Sequence, residues 1–202
     1  KPKGICGSGL ISLLAEAFLT GILDKAGNVN LMARSSRVRE GAHGGEYVVA
    51  WGAESESGED IVISRVDVDN LLRAKAAIYA GFTVLADTVG IQLESVSKVL
   101  VGGSFGKYIN VEKAVQIGLL PDMPWEQFDF LGNTSVKGAY SALLDWRKRE
   151  QITDIAKRMT YIELSADNSF YDAFTSALFL PHTDLHKFPS VVAALEGKQV
   201  DK

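Results

Sequence analysis

The chain has 202 residues, of which 47% are hydrophobic and 23% are charged, a composition typical of a globular protein with a sizeable core. The net charge of −4 disfavours nucleic acid and anionic membranes as partners, and no apolar run reaches the roughly 18 residues of a transmembrane helix. The single cysteine, Cys6, excludes an internal disulfide and an all-cysteine iron–sulfur cluster held by this chain alone, and it favours a cytoplasmic protein.

The first motif is GICGSG, residues 4–9, which leads into a helix predicted over residues 7–23 with Ser8 as its cap. Because a glycine-rich turn before a buried helix normally follows a strand, we expect this chain to be the C-terminal fragment of a longer protein. Cys6 is either a reactive thiol near the helix N-terminus or, as we favour, a small buried residue. Residues 24–45 are predicted to be a loop, followed by hairpin strands at residues 46–51 and 60–64.

The longest predicted helix spans residues 67–89 and has an apolar stripe with one lysine in it. The stripe consists of Leu71, Lys75, Ile78, Phe82, Leu85 and Val89. A buried lysine is costly unless it is paired or binds a ligand. Lys75 therefore either extends from the helix edge to water or directs its ammonium at the ribose or phosphate of a nucleotide.

The segment VLVGGSFG, residues 99–106, predicts a short buried strand followed at once by glycines. Glycines in this place allow a ligand to approach the backbone closely and offer free N–H groups. Ser104 could form one hydrogen bond and Phe105 could pack on a base, whereas the alternative is an ordinary turn between Gly102 and Gly106. We expect Asn110 to cap a short helix over residues 111–117 that ends at Gly118.

A second strand, residues 128–131, is followed by GNTS and by a helix predicted over residues 135–149. The N-terminus of this helix suits a phosphate, although Asn133 and Thr134 are also ordinary capping residues. The pattern continues with helix at 152–159, a strand at 161–164, a helix at 169–179 and an irregular tail over residues 181–202. Strands that alternate with helices predict an α/β domain.

Three alternating side chains in the tail, His182, Asp184 and His186, would share one face of an extended backbone. We do not predict a metal site there, because Pro181 and Pro189 favour an irregular segment and the sequence supplies no fourth ligand.

Seven segments, taken in order, resemble the C-terminal domain of the reductive activators of corrinoid proteins. They are GICGSGLISLLAEAF, LLRAKAAIYAGFTVL, VLVGGSFGKYIN, AVQIGLLPDMP, FLGNTSVKGAYSALL, YIELS and ALFLPHTDLHKFPS. The resemblance extends from Gly4 to about Val191 and is less distinct between Ala33 and Ser64.

This resemblance implies a single lobe over residues 1–202, of the ribonuclease-H-like type found in the superfamily of actin, heat-shock ATPases and acetate and sugar kinases. It implies ATP with Mg²⁺ as cofactor and a corrinoid protein as partner, whose cob(II)amide the full-length activator reduces to cob(I)amide. The electron would pass through a [2Fe-2S] cluster in an N-terminal ferredoxin-like domain outside this chain. A homodimer is a further expectation.

By position, the resemblance assigns the nucleotide to Lys75, Gly102, Gly103, Ser104 and Gly106, and the motifs add Phe105, Asn133 and Thr134 to the predicted site. It also places Gly138 and Ala139 on a helix that packs closely between two lobes. The phosphate motifs of the first lobe and of the start of the second lobe are missing from this sequence. We therefore expect the chain alone to fold but to bind ATP weakly or not at all.

Two other kinds of function remain open at this point. The chain could be a lobe of a small-metabolite kinase or of a 2-hydroxyacyl-CoA dehydratase activator, although the position of Cys6 does not suit the cluster-binding cysteines of the latter. It could also be a non-catalytic docking or dimerisation module, which a large exposed apolar patch would favour.

Overall fold

A computed structural model describes residues 1–103, 106–166 and 168–200, except for the side chains of residues 94, 107 and 198–200. The helices are α1 (Gly7–Leu19), α2 (Arg65–Val89), α3 (Val111–Gln116), α4 (Thr134–Leu144), α5 (Trp146–Arg158), α6 (Asn168–Ser176) and α7 (Pro189–Val200). The strands are β1 (Val38–Gly41), β2 (Gly44–Ala50), β3 (Ile61–Ile63), β4 (Val99–Gly102) and β5 (Phe128–Gly132). The predicted α/β class is therefore confirmed.

The first sheet is antiparallel, with the strand order β1–β2–β3. Val38 of β1 pairs with Tyr47 of β2, and the Arg39 guanidinium contacts Glu46 at 2.7 Å and Asp60 at 2.8 Å. The sequence predicted β2 and β3 but assigned β1 to a loop. The pairing with β2 gives this short segment its extended conformation, and a pairing of this kind has little local signal.

The second sheet consists of β4 and β5, which are parallel, with Val101 beside Phe130 and Gly102 beside Gly132. Both strands lie where the sequence predicted them. The prediction that β4 is buried was wrong, because Leu100 is 60% exposed in the described structure. Parallel strands are normally covered on both faces, so these two strands form an unusually open sheet.

α2 begins with a capping box, in which Ser64 and Asp67 exchange hydrogen bonds, and it ends at Gly90 in the left-handed conformation. Its buried side chains are Val68, Leu72, Lys75, Ala76, Tyr79, Ala80, Val84 and Ala86. Of the residues in the predicted apolar stripe, Lys75 is buried as its position indicated. Burial was wrongly predicted for Ile78, Leu85 and Val89, which are about half exposed. α2 packs against α6 through a face that includes small alanines, so the size of the apolar side chains did not reveal the buried face.

The core lies among α1, α2, α3, α7 and the first sheet, with residues such as Leu14, Val48, Val115 and Val191 fully buried. α1 ends at Leu19, four residues earlier than predicted, and Cys6 rather than Ser8 is its cap. The short helix α3 begins after Asn110 and is followed by Gly118 with a positive φ of 73°, as predicted.

The carboxyl-terminal third differs more from the prediction. Asp145 interrupts the expected continuous helix, because its carboxylate accepts the N–H of Arg147 at 3.0 Å and begins α5. Residues 161–163 form no strand, and α6 ends at Ser176 instead of Phe179.

The expected irregular tail contains the helix α7. The Ser190 N–H and hydroxyl donate to the Asp122 carboxylate at 2.8 and 2.7 Å, a contact between distant residues that local sequence does not show. In the described part of the chain, no helix combines the length and apolar character needed to cross a membrane.

Candidate functional site

The carboxyl ends of β4 and β5 lie at the same edge of the second sheet because the two strands are parallel. This edge is where α/β proteins commonly bind ligands. The Gly103 N–H donates a 2.7 Å hydrogen bond to the Gly132 carbonyl oxygen, so the turns after the two strands are in direct contact. The structure thus brings together two motifs, GGSFG and GNTS, that the sequence analysis treated separately.

Glycine is required at this junction for conformation and for space. Gly103 has a φ of 103° and Gly132 a φ of 68°, both in the region that favours glycine. A Cβ atom at Gly102 would lie 2.9 Å from the Thr134 hydroxyl oxygen. The backbone of these glycines therefore carries no Cβ atoms at the junction, and a flat ligand can approach it closely.

α4 begins at this junction and directs its N-terminus toward it. The Asn133 side chain caps the helix by accepting the N–H of Val136 at 3.0 Å. The first N–H groups of a helix have no acceptor within the helix and, together with the helix dipole, favour an anion. Thr134 adds a hydroxyl beside Gly102, so Asn133 and Thr134 both lie at the junction.

Lys137 is a site residue that the sequence analysis missed. Its ammonium donates to the Leu131 carbonyl oxygen at 2.5 Å, at the end of β5, and the side chain is exposed. A cation in the first turn of a helix is disfavoured by the helix dipole. This unfavourable position was the signal available in the sequence. The Lys137 ammonium gives the junction a positive charge.

The loop after Gly103 returns to the sheet at Gly106, which starts a short 3₁₀ turn over Gly106–Tyr108. Gly106 is buried, and a Cβ atom there would lie 2.7 Å from the Val101 side chain. The predicted contacts of Ser104 and Phe105 lie outside the described residues.

Lys75 lies apart from this junction. It is fully buried in α2, and its ammonium donates to the Phe179 carbonyl oxygen at 2.5 Å and to the Pro181 carbonyl oxygen at 2.7 Å. Burial lowers its pKa to about 7. The interpretation of Lys75 as a nucleotide ligand is corrected on this geometry, because its ammonium binds backbone carbonyls inside the core and reaches neither water nor the glycine junction.

Cys6 is exposed, contrary to the prediction of a small buried residue. Its sulfur accepts the N–H of Gly9 at 3.4 Å and lies 3.4 Å from the Ser8 hydroxyl oxygen. The hydrogen bond with Ser8, followed by that with Gly9, lowers the pKa of the thiol. The cysteine therefore caps α1.

The side chains of His182, Asp184 and His186 do not share one face. His182 is buried against the rings of Tyr79 and Phe188, which also contact each other, and burial lowers its pKa to about 4. Asp184 accepts the N–H of His186 at 3.0 Å, and His186 itself is exposed. Within residues 1–103, 106–166 and 168–200, no group of three histidine, cysteine or acidic side chains is placed to hold a metal.

Comparison with known proteins gives a consistent result. The family model described as the C-terminal domain of RACo, the ASKHA domain, matches residues 1–192. A solved structure named reductive activator for corrinoid, iron-sulfur protein is 49% identical, with a TM-score of 0.86 over 93% of this chain and 30% of its own.

Two curated proteins are also similar. The corrinoid activation enzyme RamQ of Eubacterium limosum is 32% identical over 86% of this chain and 30% of its own length. The [Co(II) methylated amine-specific corrinoid protein] reductase of Methanosarcina barkeri is 27% identical over 78% of this chain and 25% of its length. This chain thus spans about a third or less of each relative. An ASKHA domain has the fold of actin and the sugar kinases, and the chain belongs to the family of RACo C-terminal ASKHA domains.

Proposed function

We propose that the junction of Gly102, Gly103 and Gly132 with the start of α4 holds the nucleoside part of ATP. The single observation that carries this proposal is the hydrogen bond between Gly103 and Gly132, which joins two glycine turns at the carboxyl edge of parallel strands. The residues fit such a ligand, because the backbone there has no Cβ atoms and a helix N-terminus adjoins it. The sequence adds Ser104 and Phe105, which follow Gly103 directly, to the proposed site.

The phosphates and Mg²⁺ need groups that this chain supplies only in part. Asn133, Thr134 and Lys137 lie where they could orient a phosphate, through the helix N-terminus and one ammonium. The remaining phosphate ligands and the metal ligands are proposed to lie in the part of the full-length protein that this chain does not span. When bound, ATP supplies the free energy of its hydrolysis, and the role of this chain is to bind and orient the nucleotide.

We also propose that the chain is a ribonuclease-H-like lobe. The order of its elements supports this: three antiparallel strands are followed by α2, β4, α3, β5 and α4 in alternation. In the described residues the two sheets are separate, so the proposal is that they form one layer in the full-length protein.

For the full-length protein we propose the reductive activation of a corrinoid protein, the conversion of cob(II)amide to cob(I)amide by one electron. The names of the three relatives support this activity. The electron is proposed to come from a [2Fe-2S] cluster in a separate domain, since the one cysteine of this chain cannot hold such a cluster. Binding and turnover of ATP would favour the conformation in which the corrinoid is reducible.

The test uses the full-length activator, a chemical reductant and a corrinoid protein in the cob(II)amide state. We expect cob(I)amide to form, as followed by visible absorption, only when ATP and Mg²⁺ are present. The matched control is a non-hydrolysable ATP analogue, which separates nucleotide binding from turnover. Equal formation of cob(I)amide without nucleotide, or none with ATP, would reject the proposed activity.

A further inference from the structure

Lys75 lies at the contact between α2 and residues 177–188, which join α6 to α7 and which we call the joining segment. Among the described residues, its ammonium has two partners, the carbonyl oxygens of Phe179 and Pro181, and it takes part in no ion pair. A protonated lysine has three N–H groups to satisfy, whereas a neutral amine has two. The two acceptors therefore match the neutral amine, and a buried ammonium would keep one N–H without an acceptor.

His182 of the joining segment is a second buried base at this contact. Its ring centroid lies 5.3 Å from that of Tyr79 on α2 and 6.1 Å from that of Phe188. Its Nδ1 accepts the N–H of Asp184 at 2.9 Å, which requires that Nδ1 carry no proton. Protonation of this nitrogen would break the hydrogen bond and leave a charge buried beside two aromatic rings. The surroundings of both bases therefore favour their neutral forms.

The charges around the contact do not offset the cost of a proton there. Burial lowers the pKa of Lys75 to about 7. Burial, followed by the charges of Lys187 and Lys75, lowers the pKa of His182 to about 4, and the exposed Asp184 acts in the opposite direction. Other charged side chains on the described parts of the surrounding elements are exposed or paired with each other: Lys25, Arg73, Asp87, Asp172, Glu196, Arg65 with Asp69, and Glu16 with Lys113.

The joining segment lies between two helices and is attached to its neighbours by loop contacts. The Leu180 N–H donates to the Lys25 carbonyl oxygen at 2.8 Å, and the Thr183 N–H donates to the Ser176 carbonyl oxygen at 3.0 Å. Contiguous segments of a protein open as units, at free energies that range up to that of whole-chain unfolding. In an open joining segment, Lys75 and His182 would be in water, where each binds a proton more tightly than in the closed contact.

We propose that Lys75 and His182 form a proton-sensitive latch, which holds the joining segment on α2 when both are neutral and releases it as they bind protons. The latch consists of described residues that contact one another, and it does not depend on the nucleotide or corrinoid role proposed above. Release would also remove the Pro181 carbonyl from Gly118, the second residue after α3. Because α3 connects β4 with β5, the latch adjoins the sheet that carries the glycine junction.

The direction of the pH dependence follows from where each base binds its proton more tightly. For Lys75, the open segment binds a proton that the closed one does not between about pH 7 and pH 10.5, so opening becomes about tenfold rarer per pH unit. For His182, the same holds between about pH 4 and pH 6.5. Together they predict that the equilibrium constant for opening falls about 300-fold between pH 6 and pH 9.

Hydrogen–deuterium exchange of the full-length activator between pH 5 and pH 9 tests the latch. Exchange rates of peptides from residues 177–188 are divided by the intrinsic rate of each amide at each pH, which gives the opening constant. We expect the 300-fold fall, and we expect the joining segment at pH 6 to open more often than α1, whose Leu14 is fully buried. An opening constant that does not change with pH, or equal opening of both regions, would overturn the latch.

Three variants assign the pH dependence to its groups. In Lys75→Met, opening should fall only about fourfold between pH 6 and pH 9, which is the part due to His182. In His182→Phe, the roughly sevenfold fall expected between pH 5 and pH 6 should disappear. Lys187→Met is the matched control, since this lysine is exposed on the same segment, and it should keep the wild-type dependence. A wild-type pH dependence in Lys75→Met would overturn the latch, and the wild-type measurement alone decides if that variant does not fold.

Discussion

The Lys75 ammonium donates a 2.7 Å hydrogen bond to the carbonyl oxygen of Pro181, 106 residues further along the chain. It also donates to Phe179 at 2.5 Å. Gly118 packs against the same Pro181 carbonyl so closely that a Cβ atom would lie 1.9 Å from its oxygen. Because Lys75 belongs to α2 and Gly118 follows α3, Pro181 joins both helices to the carboxyl-terminal segment.

Replacing Lys75 by methionine should destabilise the chain by about 2–6 kcal/mol. Methionine keeps most of the apolar stem but leaves two carbonyls without a donor, each at a cost of about 1–3 kcal/mol. Urea unfolding measures the change. Arg73→Met is the control, an exposed position on the same helix at which we expect a change within about 0.5 kcal/mol. Equal stability of the two variants would show that the buried hydrogen bonds contribute little.

The stability of the wild-type chain should rise between pH 7 and pH 10 relative to Lys75→Met. Burial lowers the pKa of Lys75 from 10.5 to about 7, so in this window the unfolded chain binds a proton that the folded chain does not. The slope is at most about 1.4 kcal/mol per pH unit. A neutral amine still has two N–H groups for the two carbonyls, so the contact persists.

Unfolding by urea at several pH values measures this difference, and the variant removes the contributions of all other titrating groups. The wild-type advantage should be constant below pH 7, where both states are protonated. A wild-type advantage that shrinks above pH 7 would mean that the folded state retains the proton better than the unfolded state.

The glycine junction could be predicted largely from sequence because its signals are local. An apolar run ending in Gly102 and Gly103 predicts a strand and a turn wherever the strand lies, and Asn133 is a recognisable cap. Lys75 was misassigned for the opposite reason. Its partners are carbonyls of Phe179 and Pro181, which any residue possesses, so no side-chain pattern could reveal them. The hydrogen bonds of Ser190 with Asp122 at α7 were missed for a similar reason, since these residues are distant in sequence.

Gly103→Ala in the full-length activator should weaken ATP binding by about tenfold. The residue has a φ of 103°, which alanine adopts with strain of about 1–2 kcal/mol, so the turn would change shape where the nucleoside is proposed to lie. Gly81→Ala is the matched control, because Gly81 lies within α2 and has open space for a methyl group. Calorimetric titration gives both affinities. Equal affinities for the two variants would place the nucleotide elsewhere.

The isolated chain should bind ATP far more weakly than the full-length activator does. We propose that the glycine junction holds the nucleoside and that Asn133, Thr134 and Lys137 form one side of a phosphate site, whose other side is expected to lie in the first lobe. Charged phosphates gain most from groups that surround them, because hydrogen bonds to charged groups contribute about 1.5–3 kcal/mol each. Titration of this chain and of the full-length protein under the same conditions measures the difference. Binding of ATP by the isolated chain at micromolar Kd would show that the junction and the start of α4 form a complete nucleotide site.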